Sequence, residues 1–79
     1  MANRKRRKNE KQFGNWVENH DHSRTYWLEI IGRFGWKARY VKVVDQNEET
    51  VTFRQEIFDE NDVLREIMKN FLLIKDIKN

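Results

Sequence analysis

The chain has 79 residues, no Cys, no Pro and a formal net charge of +3, with 37% of its residues charged. That length allows one domain at most, and the lack of Cys excludes disulfides and thiolate metal sites as reinforcement. No apolar run approaches the roughly 18 residues of a membrane span, and the basic start lacks the apolar segment of a secretory signal, so no membrane partner and a cytoplasmic location are expected.

Charge is distributed unevenly. Residues 1–12 hold six basic groups (Arg4, Lys5, Arg6, Arg7, Lys8 and Lys11) against Glu10 alone, whereas residues 13–79 hold ten basic and twelve acidic groups. A mildly acidic domain therefore carries a basic arm, which points to a polyanionic partner. Residues 1–12 lack apolar periodicity and read as a disordered arm, leaving residues 13–79 as a single small domain. Five consecutive cations, Arg4 to Lys8, can displace counterions from nucleic-acid phosphates without choosing a sequence.

Residues 13–25 are less defined. Phe13, Trp16 and Val17 have helical spacing over one turn, and Asn19 to Ser23 read as a loop. His20-Asp21-His22 could hold a metal or move protons, but two His residues without a third ligand fit a structural zinc site poorly. No metal, no cofactor and no enzymatic activity are expected. The chain has no Gly-rich phosphate loop, and Ser23 is its only serine.

Three strands follow. Residues 26–31 are bulky and partly β-branched. Gly32 and Gly35 bracket Arg33-Phe34 in a tight turn. Residues 36–44 form the second strand, with Trp36, Ala38, Tyr40, Lys42 and Val44 on one face and Lys37, Arg39, Val41 and Val43 on the other. After the polar turn Asp45-Gln46-Asn47-Glu48-Glu49, residues 50–58 form the third. No internal repeat beyond the hairpins stands out. Basic and aromatic residues interleave in the first hairpin, so Arg33, Lys37 and Arg39 join the arm as candidate nucleic-acid contacts.

The last segment sets the expected fold class. From Val63 the apolar residues recur at 63, 64, 67, 68, 71, 72 and 74, a 3.6-residue period. That predicts an amphipathic C-terminal helix over about 61–75, with Val63, Ile67 and Phe71 against the sheet face that carries Trp36, Ala38 and Tyr40. The architecture is α+β: a three-stranded antiparallel sheet (26–31, 36–44, 50–58) backed by one helix, with Lys37 and Arg39 on the open face. The alternative is an all-β, four-stranded meander with Asp59-Glu60-Asn61-Asp62 as a hairpin turn.

Arg33-Phe34-Gly35-Trp36-Lys37-Ala38-Arg39, then Phe58-Asp59 leading into a helix, resembles the plan of integrase arm-binding domains over about residues 26–72. The usual glycine before the Phe-Asp step is replaced by Glu56-Ile57. The resemblance implies a sheet that enters the DNA major groove. The basic arm on phosphates and the basic and aromatic first hairpin as contact surface carry the expected function, a small non-enzymatic protein that binds nucleic acid, DNA or RNA. The alternative is a protein-interaction module (an inhibitor, antitoxin or small complex subunit) that uses the acidic hairpin or the apolar C-terminus. Homodimerisation through that terminus is a further expectation.

Overall fold

The computed structural model describes residues 2–69. One helix, α1 (Ala2–Phe13), precedes five strands: β1 (Asn15–Glu18), β2 (Arg24–Ile31), β3 (Lys37–Val44), β4 (Thr50–Phe58) and β5 (Leu64–Lys69). The strands pair antiparallel in chain order, β1-β2-β3-β4-β5, as a simple meander.

This architecture corrects the expected fold class. The strands expected at 26–31, 36–44 and 50–58 are β2, β3 and β4, but they form the centre of a five-stranded sheet and not the whole of a three-stranded one. The helix is N-terminal. Where a C-terminal helix was expected, Leu64–Lys69 is an edge strand, so the all-β alternative is the closer description. Val63 and Ile67 are exposed and do not pack against the sheet, and Phe71 lies outside the described residues. The resemblance to the plan of integrase arm-binding domains fails at the same place, because among the described residues a strand stands where its backing helix was expected.

A bulge explains the misleading period. Phe58 pairs with Leu64 and Glu56 with Ile67, so one extra residue sits on β5. Leu64 and Ile67, three apart, therefore project from the same face, as they would on a helix. The bulged strand and the helix share this spacing, and the pairing with β4 decides between them.

Residues 2–12, part of the arm expected to be disordered over 1–12, form α1 together with Phe13. Their Arg, Lys, Glu and Gln residues have good helix propensity. Gly14, at φ +82, ends the helix, and its N–H donates to the Glu10 carbonyl at 2.9 Å, a left-handed cap that suits glycine. The first turn contains no acid, and cations dominate the helix. Such a helix is marginal by itself and depends on the sheet for support.

That support comes from one face of the sheet. Phe13, Tyr26, Val44 and Phe53 form the core, with Leu28 and Tyr40 packed against them. The Phe13 and Tyr26 rings lie 5.9 Å apart, and those of Tyr40 and Phe53 lie 6.4 Å apart. Cross-strand partners share a face, so the register Trp16–Tyr26–Lys42–Phe53 marks the side that α1 covers. Lys37 and Arg39 project from the opposite side, with Trp27, Val41 and Phe58.

Three of the four turns share one design. In Asn19–Ser23, Asp45–Glu49 and Asp59–Val63, the first residue's N–H donates to the fifth residue's carbonyl, and the fourth residue's N–H donates to the first residue's carbonyl. The fourth residue has positive φ in each: His22 (69), Glu48 (64) and Asp62 (62). Asp45 and Asp59 each accept two further backbone N–H groups through Oδ1. Asx residues favour this role because the short carboxylate bonds its own turn.

Candidate nucleic-acid interface

The helical repeat sorts the arm's charges into two sets. Arg6, Asn9, Glu10 and Phe13, at i, i+3, i+4 and i+7, face the sheet. Asn9 Oδ1 accepts from Lys42 Nζ at 3.1 Å, and Glu10 accepts from Arg24 Nη1 at 3.0 Å. Arg6 Nε lies 3.6 Å from Glu48 Oε1, a charge contact and not a hydrogen bond. Lys5, at the side of the helix, pairs with Glu49.

Arg4, Arg7, Lys8 and Lys11 repeat the same spacing on the outward face. All four are exposed, and among the described residues none of them forms an ion pair. Seven residues of rise make this ridge about 10 Å long. Its neighbours at i+3 and i+4 carry like charge, which opposes helix formation by roughly 0.2–0.5 kcal/mol per pair.

Glu48 anchors the N-terminal half of α1 from below. Its side chain is 1% exposed. The Tyr26 hydroxyl donates to this carboxylate and lies 2.9 Å from each oxygen. Tyr26 is fully buried. Burial disfavours its phenolate, and the hydrogen bond and charge of Glu48 add to that, so its pKa is pushed up to about 12. Arg24 lies 5.9 Å above the Tyr26 ring and 3.6 Å from Glu18, which completes a partly buried polar cluster under the helix.

The hairpin residues form a separate group. Arg39 donates to Glu29 Oε2 through Nε at 2.8 Å, with Nη2 at 2.6 Å, and its Nη1 lies 3.7 Å from Glu56. Arg54 Nε donates to the other Glu56 oxygen at 2.7 Å. Lys37 Nζ is 3.0 Å from Asp62. The Phe58 ring lies under both cations, 4.9 Å from the Arg39 guanidinium and 5.6 Å from Lys37 Nζ. Arg33 is exposed at the hairpin tip.

The structure thus divides the expected contact residues. Arg4, Arg7 and Lys8 converge on one ridge. Lys5 and Arg6 tie the helix to the Asp45–Glu49 turn. Lys37 and Arg39 lie on the opposite side of the sheet within ion pairs, and Arg33 lies at the far end of the β2–β3 hairpin. Lys11 falls outside the expected contact set, because a disordered arm has no faces. The signal was present in the interlocking spacings of 4, 7, 8, 11 and 6, 9, 10, 13, closed by Gly14.

His20, Asp21 and His22 occupy the β1–β2 turn. Hydrogen bonds from the Ser23 hydroxyl and amide hold the Asp21 carboxyl below its ordinary range. Among the described residues, no three His, Cys, Asp or Glu side chains gather as a metal site, and no helix is long and apolar enough to cross a membrane. The chain matches no protein-family model, no curated protein and no solved structure.

Proposed function

We propose that this is a small nucleic-acid-binding protein whose α1 ridge lies along the phosphates. One observation carries the reading: Arg4, Arg7, Lys8 and Lys11 stand exposed and, among the described residues, without ion pairs on one face of a helix that their mutual repulsion weakens. The fold gains nothing from that arrangement, and local rules broken at a surface point to a binding role. A polyanion would supply the missing countercharge, and four side chains over about 10 Å match the dense phosphate spacing of nucleic acid. Lys5 and Arg6 serve the ridge indirectly, by holding α1 against Glu49 and Glu48. Arg33, Lys37 and Arg39 are secondary contacts, and the last two would have to exchange acidic partners for phosphates.

A protein-interaction module is the second reading. The exposed Leu64, Ile67 and Met68 on edge strand β5 favour it. The acidic residues favour it less, since Glu48, Glu49 and Glu56 are engaged within the fold.

The test is a titration of mixed-sequence single-stranded and duplex oligonucleotides with the full chain. It is repeated with Arg4, Arg7, Lys8 and Lys11 all changed to Gln. The wild type should bind and the variant should bind at least tenfold more weakly. Equal binding by both would reject the ridge as the site.

A further inference from the structure

The least economical residue in the fold is Phe34. It sits in the turn between β2 and β3, 86% exposed, far from the core under α1. Its backbone is left-handed, at φ 61 and ψ 24. A bulky residue rarely adopts that conformation, and Gly or Asn would hold it at lower cost. A strained, exposed aromatic ring contributes nothing to folding, and such outliers cluster where a ligand is gripped.

The tip is braced. The Gly32 N–H donates to the Trp36 carbonyl at 2.7 Å, and the Trp36 N–H donates to the Arg33 carbonyl at 3.1 Å. Gly35, at φ +79, packs so closely on the next turn that an added Cβ would sit 3.3 Å from Glu60 Cβ. The Lys37–Asp62 pair ties the base of the hairpin to the same turn. The ring is therefore held out on a fixed support. Arg33, exposed and without an ion pair among the described residues, stands next to it, and Trp36 and Ile31 are also exposed.

We propose that Phe34 is a stacking platform for an unpaired nucleic-acid base, with Arg33 on the adjacent phosphate, so that the ligand is single-stranded. This rests on the α1 reading and narrows it. An aromatic ring beside an arginine is the pairing that single-strand binders use, because every base offers a π-face. The geometry favours a single strand over a duplex. The ridge stands a helix diameter, about 10 Å, above the sheet. Phe34 lies at the end of the sheet away from the turn that anchors α1, in a molecule with a longest extent of 41 Å. A flexible strand can step down from ridge to tip, whereas a duplex, stiff over roughly 500 Å, would have to bend sharply to touch both.

The test uses the full chain and a mixed-sequence single strand carrying 2-aminopurine, whose fluorescence falls on stacking. Phe34→Gly relieves the backbone and removes the ring, and Phe34→Leu keeps a side chain on the same backbone without a π-face. Wild type should quench the probe. Both variants should lose the quench and bind about tenfold more weakly, with an unchanged salt slope because no phosphate contact of the ridge is lost. Phe34→Gly should melt higher than wild type, so stability and binding move in opposite directions. Wild-type quench and affinity in both variants, alongside weakened binding by the α1 Gln variant, would overturn the platform and leave the ridge standing. Duplex bound as tightly as single strand, or a Phe34 effect seen only on anionic vesicles, would also overturn it. No binding to any oligonucleotide would remove both proposals.

Discussion

The buried Tyr26–Glu48 contact predicts a pH-dependent stability that one substitution isolates. Tyr26→Phe removes the hydroxyl that donates to a carboxylate 1% exposed. A hydrogen bond to a buried charge contributes about 1–3 kcal/mol. The variant should therefore be less stable than wild type by that amount at pH 7, out of a total of roughly 4–12 kcal/mol for a chain of this size. The difference should shrink in alkali. The folded-state pKa of Tyr26 is raised to about 12 from an ordinary value of 10. Below pH 10 both states hold the proton and the full contribution is present. Between pH 10 and 12 the unfolded chain releases the proton while the folded chain keeps it, so wild-type stability falls by up to about 1.4 kcal/mol per pH unit. By pH 12 this residue alone should have removed about 2 kcal/mol from wild type and nothing from Tyr26→Phe. Urea denaturation of both proteins at pH 7, 10, 11 and 12, followed by tryptophan fluorescence, gives the difference directly, because other titrating groups are common to both. A constant stability gap across that range would refute the reasoning, as would equal stability at pH 7.

Two further outcomes follow from the turns and the edge strand. His22→Gly should raise stability by about 0.5–1 kcal/mol, since His22 holds φ 69 on an exposed loop, and thermal melting would show it. Ile67→Asp should cost less than about 1 kcal/mol, because Ile67 is 44% exposed on β5; unfolding of that variant would place Ile67 in a core that the structure does not give it.

The central strands were legible because their alternation and β-branched content leave little choice: Thr50–Phe58 reads as a strand from Val51, Phe53 and Ile57 alone. The two ends were misread for opposite reasons. At the N-terminus, charge hid structure. Six cations suggest disorder, yet Phe13 and Glu10 fix the helix to Tyr26 and Arg24, and contacts with residues so distant in sequence leave no local signature. At the C-terminal side, a local pattern was overruled. Leu64 and Ile67 have helical spacing, but the bulge opposite Phe58 gives a strand the same spacing. A local clue was available there. Asp59-Glu60-Asn61-Asp62 repeats the chemistry of Asp45-Gln46-Asn47-Glu48, so the turn before β4 announces the turn before β5. Of the site, the cations were legible and their grouping was not. Only the helix separates the free ridge from the anchoring Lys5 and Arg6, only the sheet register shows that Glu29 and Glu56 engage Arg39, and only the β4–β5 turn brings Asp62 to Lys37.

The central claim is that four side chains on one face of α1 meet phosphates, and the salt dependence of oligonucleotide binding tests it most directly. Each phosphate contact contributes about 0.7 to the log–log slope on a single strand and about 0.9 on a duplex. Changing Arg4, Arg7, Lys8 and Lys11 to Gln should therefore flatten the slope by about 2.8 on single strands, with circular dichroism and melting temperature at or above wild type because like charges have been removed. A slope that stays unchanged in the folded variant would contradict the account.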